Sequence, residues 1–187
     1  MGKLVVTEFV TLDGVFQDPG GTGELDRGGW AFQFDQGDEG AKFKFDELLA
    51  SDAQLLGRVT YEGFAKAWPT MEDTGEFGEK MNAMPKFVVS TTLESPEWNN
   101  TTVLNGDLAK EADALKEQFA GDILVAGSGK LVSSLLANDL VDELHLMVFP
   151  ILLGDGKRLF ADAEATKAFK LVESRQTGAV AILSFSR

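Results

Sequence analysis

DILVAGSGKLVSSLL, which spans residues 122–136, predicts a strand, a tight turn and a helix in immediate succession. The turn is Gly127-Ser128-Gly129-Lys130. Glycines let the backbone approach a ligand closely, and the first N–H groups of a helix with a nearby lysine favour a phosphate. The spacing matches neither the G-x-G-x-x-G fingerprint nor Walker A, so an ordinary strand-to-helix turn remains the alternative.

A second turn of this kind follows the short predicted strand 53–56 and reads Gly57-Arg58-Val59-Thr60. Arg58 can hold a phosphate bidentately, and Thr60 can cap the helix while it donates to a phosphate oxygen; a solvated surface arginine is the alternative. Both turns would lie beyond the carboxyl ends of their strands, which is where open α/β sheets bind ligands. Their coincidence favours a dinucleotide.

The rest of the chain predicts strands interleaved with helices, which indicates an α/β domain with a mostly parallel sheet. The last two strands have no helix between them and should pair as an antiparallel hairpin. No repeat or domain boundary interrupts residues 1–187, so we expect a single domain. The predicted strands are residues 3–11, 53–56, 86–91, 101–104, 122–126, 140–149, 170–174 and 180–185.

The amino-acid composition and net charge argue against several classes of function. The 187 residues carry a formal net charge of −13, which disfavours a nucleic-acid partner, and no apolar run approaches a membrane span. The chain has no cysteine and a single histidine, His145, so we expect no metal site and no thiol chemistry. We expect a cytoplasmic protein that borrows its chemistry from a cofactor.

Residues 14–40 predict a functional loop rather than a linker, because they hold eight of the twenty glycines together with several aromatic residues. Trp30 and Phe34 can stack on a flat heterocycle as substrate-binding residues, although aromatics that lie so close together can equally fill the core.

Five motifs in this order resemble the dihydrofolate reductase-like superfamily, and most closely the C-terminal reductase domain of the bacterial riboflavin-biosynthesis deaminase/reductase and its stand-alone relatives. They span nearly the whole chain. The motifs are Thr11-Leu12-Asp13-Gly14, Gly57-Arg58-Val59-Thr60-Tyr61-Glu62, Val88-Val89-Ser90-Thr91, Gly127-Ser128-Gly129-Lys130-Leu131, and Val141-Asp142-Glu143-Leu144 leading to Pro150-Ile151-Leu152-Leu153-Gly154-Asp155-Gly156.

The resemblance implies an eight-stranded sheet, NADPH as cofactor and a homodimer, for which the predicted strand 140–149 and the segment 150–156 are our candidate interface. It also implies cofactor-binding roles for particular residues. Arg58 would meet the 2′-phosphate and Thr60 the pyrophosphate, and a cis bond is expected at Gly127-Ser128. The remaining cofactor-binding residues are Ser90 and Thr91 beside the 2′-phosphate, and Gly127, Ser128, Gly129 and Lys130 beside the pyrophosphate and nicotinamide.

The catalytic group is less well defined by the sequence. Folate reductases carry a carboxylate at the start of the first helix, and the corresponding position here is Ala41, which makes folate reduction doubtful. Asp38 is a nearby candidate, and Asp13 is a second one unless it only forms a turn. We expect His145 to be a strand-surface or interface residue rather than a catalyst.

These observations predict an NADPH-dependent reductase that transfers a hydride to a small planar nitrogen heterocycle, such as a pteridine or a riboflavin precursor. The alternative is a non-catalytic nucleotide- or flavin-binding module that kept the fold and lost the carboxylate.

Overall fold

The computed structural model describes residues 1–161 and 166–187, in which eight strands form one sheet. The strands are β1 (Leu4–Thr11), β2 (Ser51–Gly57), β3 (Lys86–Val89), β4 (Thr101–Leu104), β5 (Asp122–Ala126), β6 (Glu143–Phe149), β7 (Lys170–Thr177) and β8 (Val180–Ser186). The helices are α1 (Gly37–Ala50), α2 (Arg58–Ala67), α3 (Gly75–Ala83), α4 (Leu108–Gln118) and α5 (Gly129–Ala137), with short 3-10 helices at Trp30–Gln33 and Trp68–Thr70.

The sheet order is β4-β3-β2-β5-β1-β6-β8-β7. The first six strands in that order are parallel, and β8 pairs antiparallel with both β6 and β7. The predicted mostly parallel eight-stranded sheet with an antiparallel C-terminal hairpin is confirmed. None of the helices in the described part of the chain has the length and apolar character needed to cross a membrane.

Helices cover both faces of the sheet because the central strand β1 is apolar on both sides. Leu4 and Val6 join a core cluster with residues of α4 and α5, whereas Val5 joins a cluster with residues of α1, α2 and α3. This alternation follows from the two-residue period of a strand. Crossover helices on both faces are what a parallel sheet requires.

Strand β6 lies between β1 and β8 and therefore has no free edge. It also carries Leu144 and Leu146 on one face and Met147 on the other, all buried in core clusters. The predicted use of residues 140–149 as a dimer interface is therefore wrong, because both edges and the centre of both faces are already covered within the chain.

Candidate functional site

The turns that follow β2 and β5 lie side by side at the carboxyl edge of the sheet. These strands are parallel neighbours. β2 passes directly into α2 between Gly57 and Arg58, and β5 ends at Ala126, three residues before α5 begins at Gly129. Both helices consequently present their N-terminal ends at one edge, where unpaired N–H groups and the helix dipoles favour anionic ligands.

Ser128 joins the two turns through its hydroxyl. The Gly57 N–H donates to Ser128 Oγ at 2.8 Å, and Ser128 Oγ donates to Thr60 Oγ1 at 2.8 Å. The N-cap of α2 is Gly57, with no side-chain cap. The predicted capping role of Thr60 is therefore wrong: Thr60 lies inside the first turn, and a capping side chain must come from the residue that precedes the helix.

The chain reverses at Gly127 and Ser128 through two successive left-handed residues, with φ of 61° and 66°. The described residues contain no cis peptide bond, so the predicted cis bond at Gly127-Ser128 is wrong. A Cβ at Gly127 would lie 2.9 Å from Thr60 Oγ1, which is too close for an ordinary contact. Glycine is thus required here both for its conformation and for the close approach of the two turns.

Two basic side chains flank the turns. Arg58 opens α2 and forms an ion pair with Glu62, with its Nη1 atom 2.9 Å and 3.0 Å from the two carboxylate oxygens. Lys130 lies in the first turn of α5 and is exposed. Because the Arg58–Glu62 pair is exposed, it is worth little and can be exchanged for a stronger anionic partner.

Ser90 and Thr91 follow β3, the neighbour of β2, and so lie at the same edge of the sheet. Ser90 is buried, and its hydroxyl accepts hydrogen bonds from the N–H groups of Thr92 at 3.1 Å and Leu93 at 3.0 Å. That hydroxyl shapes the local turn. Thr91 is exposed.

Asp13, in the turn after β1, accepts hydrogen bonds that link this turn to the segment after β6. Its Oδ1 accepts from Thr11 Oγ1 at 2.6 Å and from the Leu153 N–H at 3.2 Å, and its Oδ2 accepts from the Gly154 N–H at 2.8 Å. The hydrogen bonds from Thr11 and Gly154 lower the pKa of Asp13 to about 2. At neutral pH it is therefore ionised, and the geometry favours the turn-forming role that the sequence left open over proton donation.

The remaining predicted site residues, Asp38, Trp30 and Phe34, lie in α1 and in the segment that precedes it. Asp38 is exposed in the first turn of α1. Trp30 is fully buried, packs edge-on against Phe149 and donates from Nε1 to the Gln17 carbonyl at 2.9 Å. Trp30 therefore fills the core, which is the alternative that the sequence left open for it. Phe34 is half-buried at the edge of the same cluster.

A polar network between α1 and the sheet was missed in the sequence. Glu47 accepts from Thr7 Oγ1 at 2.9 Å and from Lys44 Nζ at 2.5 Å, and its Oε1 lies 2.7 Å from His145 Nδ1. Burial alone would raise the pKa of Glu47, but the charge of Lys44 and the hydrogen bonds from His145 and Lys44 outweigh it and lower the pKa. His145 is mostly buried in this network, so the prediction of a surface or interface position is wrong.

Glu8 is a second functional candidate that the sequence did not reveal. It is only 5% exposed, and its Oε1 has no hydrogen-bond partner. Burial raises the pKa of Glu8 to about 8, although the charge of Lys44 and a backbone hydrogen bond from Gly127 oppose the shift. A charged residue in the middle of an apolar strand was the available signal, because such residues are rarely buried without a reason.

The fold and the paired turns define a dihydrofolate reductase-like α/β domain with a candidate ligand site at the carboxyl edge of its sheet. The family model described as the RibD C-terminal domain matches residues 2–183, and the chain belongs to that family. This confirms the resemblance that the motifs predicted.

Two relatives from Bacillus subtilis (strain 168) are similar over most of their length. The uncharacterized protein YyaP is 29% identical over 176 residues, which are 92% of this chain and 88% of YyaP. The uncharacterized protein YwjB is 26% identical over 186 residues, 99% of this chain and 98% of YwjB.

Solved structures support the fold. A provisionally named riboflavin biosynthesis protein from Shewanella sp. PV-4 aligns with a TM-score of 0.79 at 23% identity, covering 100% of this chain and 99% of that one. Acinetobacter baumannii RibD aligns with a TM-score of 0.65 at 19% identity, covering 100% of this chain and 58% of that one. A Thermotoga maritima diaminohydroxyphosphoribosylaminopyrimidine deaminase/5-amino-6-(5-phosphoribosylamino)uracil reductase gives 0.62 at 16% identity, with 99% of this chain and 56% of that one covered.

Proposed function

We propose that the protein is an NADPH-dependent reductase that acts on a small planar nitrogen heterocycle. The observation that carries the proposal is the hydrogen-bonded junction of Gly57, Ser128 and Thr60, which brings two helix N-termini to one place. Membership of the RibD C-terminal domain family relates the chain to a reductase domain and supports an oxidoreductase role.

The donor set at this edge fits a phosphate-rich dinucleotide. Arg58 would bind the 2′-phosphate, since a guanidinium pairs bidentately with phosphate and can leave Glu62 at small cost. Lys130 and the N–H groups at the start of α5 would bind the pyrophosphate, and Gly127 keeps the backbone accessible. Thr60, Ser90 and Thr91 offer hydroxyls along the same edge. When bound, the nicotinamide supplies the hydride.

The substrate class rests on the family and on the polar network beside β1. Lys44 and Thr7 present a donor and a hydroxyl next to the Phe9 ring, over which the Lys44 ammonium lies at 5.4 Å. A flat heterocycle rich in nitrogen and carbonyl groups suits such a mixture of aromatic and polar contacts. We therefore propose a pteridine- or riboflavin-precursor-like substrate, with Phe34 as a candidate contact.

NADPH binding tests the proposal directly. We expect the fluorescence of NADPH to change on titration, and Arg58→Glu to weaken NADPH by about 10- to 100-fold, since a charge-assisted hydrogen bond contributes roughly 1.5–3 kcal/mol. NADH lacks the 2′-phosphate, so Arg58→Glu should weaken the binding of NADH much less. The matched control is Lys66→Glu, the same charge change in the last turn of the same helix, and it should leave both affinities nearly unchanged.

Absence of NADPH binding at concentrations up to about 1 mM, the upper end of ordinary enzyme affinities, would contradict the proposal. If NADPH binds but is not oxidised with either pteridine or ribosylaminopyrimidine substrates, the protein is instead the binding module that the sequence left as the alternative. The saturated carboxylate of Asp13 is the observation that favours this second candidate.

A further inference from the structure

Glu8 is buried at a place where an aliphatic side chain would fold more easily. Its neighbours two residues away on the same face of β1 are Val6 and Val10, which belong to the core cluster shared with α5. A carboxyl buried without a full set of hydrogen bonds costs several kcal/mol or stays protonated. Such a cost in a central strand points to a role for the group in binding or catalysis.

The position of Glu8 connects it to the candidate site. Strand β5 ends at Ala126, whose partner on β1 is Thr7, so Glu8 is the first residue of β1 beyond the end of β5. Gly127, the first residue of the turn between β5 and α5, follows Ala126 directly and therefore lies beside Glu8. The buried carboxyl thus lies beside the turn, and its Oε1 has no hydrogen-bond partner.

Phe16 packs over this part of the turn. Its ring lies against Gly129, in the same core cluster as Val6 and Val10. Phe16 lies in the loop that follows β1, outside the helices and strands of the fold. A ligand that displaces this ring would reach the start of α5.

We propose that Glu8 senses the oxidation state of the bound dinucleotide, remaining protonated beside the neutral reduced nicotinamide and ionising beside the cationic oxidised ring. This inference rests on the proposed function. Loss of a hydride leaves a positive charge on the nicotinamide ring, and a carboxylate in a site shielded from water stabilises such a charge strongly.

The surroundings of Glu8 leave it able to respond in this way. The raised pKa of Glu8, about 8, means that it starts protonated at neutral pH and can lose its proton to a modest change in local charge. The other charged groups that act on it are Lys44, which favours ionisation, and Glu47, which opposes it; both lie on α1. Because these two charges pair with each other, the charge of a bound ring would not be cancelled by them.

The test compares NADP⁺ and NADPH affinities as a function of pH. By linkage, NADP⁺ should bind more tightly as Glu8 ionises, while NADPH should not. Between about pH 6.5 and about pH 9 we expect the ratio of the NADP⁺ to the NADPH dissociation constant to fall about 5- to 20-fold, within the usual range of coupling between two sites. NADP⁺ and NADPH carry the same phosphate groups, so the effect of phosphate titration on the two dissociation constants cancels in this ratio.

Proton release gives a second readout that needs no variant. Calorimetric titration at pH 7 in two buffers of different ionisation enthalpy should show that NADP⁺ binding releases more protons than NADPH binding, since any proton lost by the 2′-phosphate is common to both. Glu8→Gln should abolish both this difference and the pH dependence of the ratio. Glu117→Gln, which removes one exposed charge from α4, should preserve both.

The inference would be overturned if the ratio of the two dissociation constants did not change with pH in the unsubstituted protein, because Glu8 would then not respond to the ligand. It would also be overturned if the NADP⁺ and NADPH affinities fell in parallel above pH 8, because Glu8 would then respond only to the phosphates. If neither dinucleotide binds, the proposed function itself has failed. The two failures are therefore distinguishable.

Discussion

Glu47 illustrates how a single buried carboxylate can stabilise this fold only while it is ionised. Three groups, Thr7, Lys44 and His145, converge on its two oxygens. Its side chain is 4% exposed, so these partners replace water almost completely. Removing the charge leaves the Lys44 ammonium without its main counter-charge in a region of low dielectric constant.

We expect Glu47→Gln to lower the free energy of unfolding at pH 7 by about 3 kcal/mol, the usual cost of breaking a buried ion pair. Because the pKa of Glu47 is lowered from 4.5 in the folded state, its contribution is present above pH 4.5 and is lost as the pH falls through the folded-state pKa. The difference between the two proteins in urea unfolding should therefore shrink in acid.

The control is Asp46→Asn, which removes the neighbouring carboxylate of α1. Asp46 forms an exposed ion pair with Lys42, so its loss should cost less than about 1 kcal/mol. A difference for Glu47→Gln that grows in acid, or one no larger than that of Asp46→Asn, would contradict the assignment.

The sequence reveals the residues of the turns better than those of this network. Gly127 and Arg58 stand in local patterns with a known physical use, whereas Glu47, Lys44 and His145 come together only when α1 packs on β1 and β6. A pair such as Glu47 and His145, 98 positions apart, leaves no local signal. Trp30 shows the converse, because composition alone does not distinguish an aromatic that fills the core from one that lines a site.

At the scale of elements, the junction between the β2–α2 and β5–α5 turns depends on how closely they approach. Gly127→Ala would add a Cβ 2.9 Å from Thr60 Oγ1 and 3.0 Å from Thr60 Cγ2, at a residue with φ of +61°. We expect a loss of about 2 kcal/mol in urea unfolding, since a left-handed alanine alone costs about 1–2 kcal/mol, and weaker NADPH binding as the turns separate.

Gly63→Ala is the matched control. Gly63 lies inside α2, and a Cβ there would meet nothing within 4 Å. Glycine in a helix is about 1 kcal/mol less favourable than alanine, so this variant should be more stable and should bind NADPH normally. Equal effects from the two substitutions would show that the junction is not tightly packed.

The elements themselves were predictable in proportion to the strength of their local patterns. Strands β3 and β5 and helix α5 have compact apolar runs, and they form close to the predicted positions. Helix α3, which the sequence did not predict, contains two glycines, Gly75 and Gly78, and glycine disfavours a helix. It forms because it packs on α1, as in the Phe45–Phe77 contact.

At the scale of the whole molecule, two exposed apolar surfaces compete as the interface of the predicted homodimer. β6 is interior, but the following segment 150–156 remains a candidate because its Leu152 is 69% exposed. Leu12, 60% exposed, is joined to the same segment by a hydrogen bond from its N–H to the Ile151 carbonyl at 2.9 Å. The edge strand β7 offers a competing apolar surface at Val172, which is 64% exposed.

We expect the protein to sediment as a homodimer and Leu152→Asp to shift it toward the monomer, because a charge in the centre of an apolar contact is costly to desolvate. Val172→Asp, the same kind of change on the exposed edge strand, should leave the dimer intact. Analytical ultracentrifugation at several concentrations measures both. Dissociation by Val172→Asp alone would move the interface to the β7 edge, and a monomeric unsubstituted protein would rule out the dimer altogether.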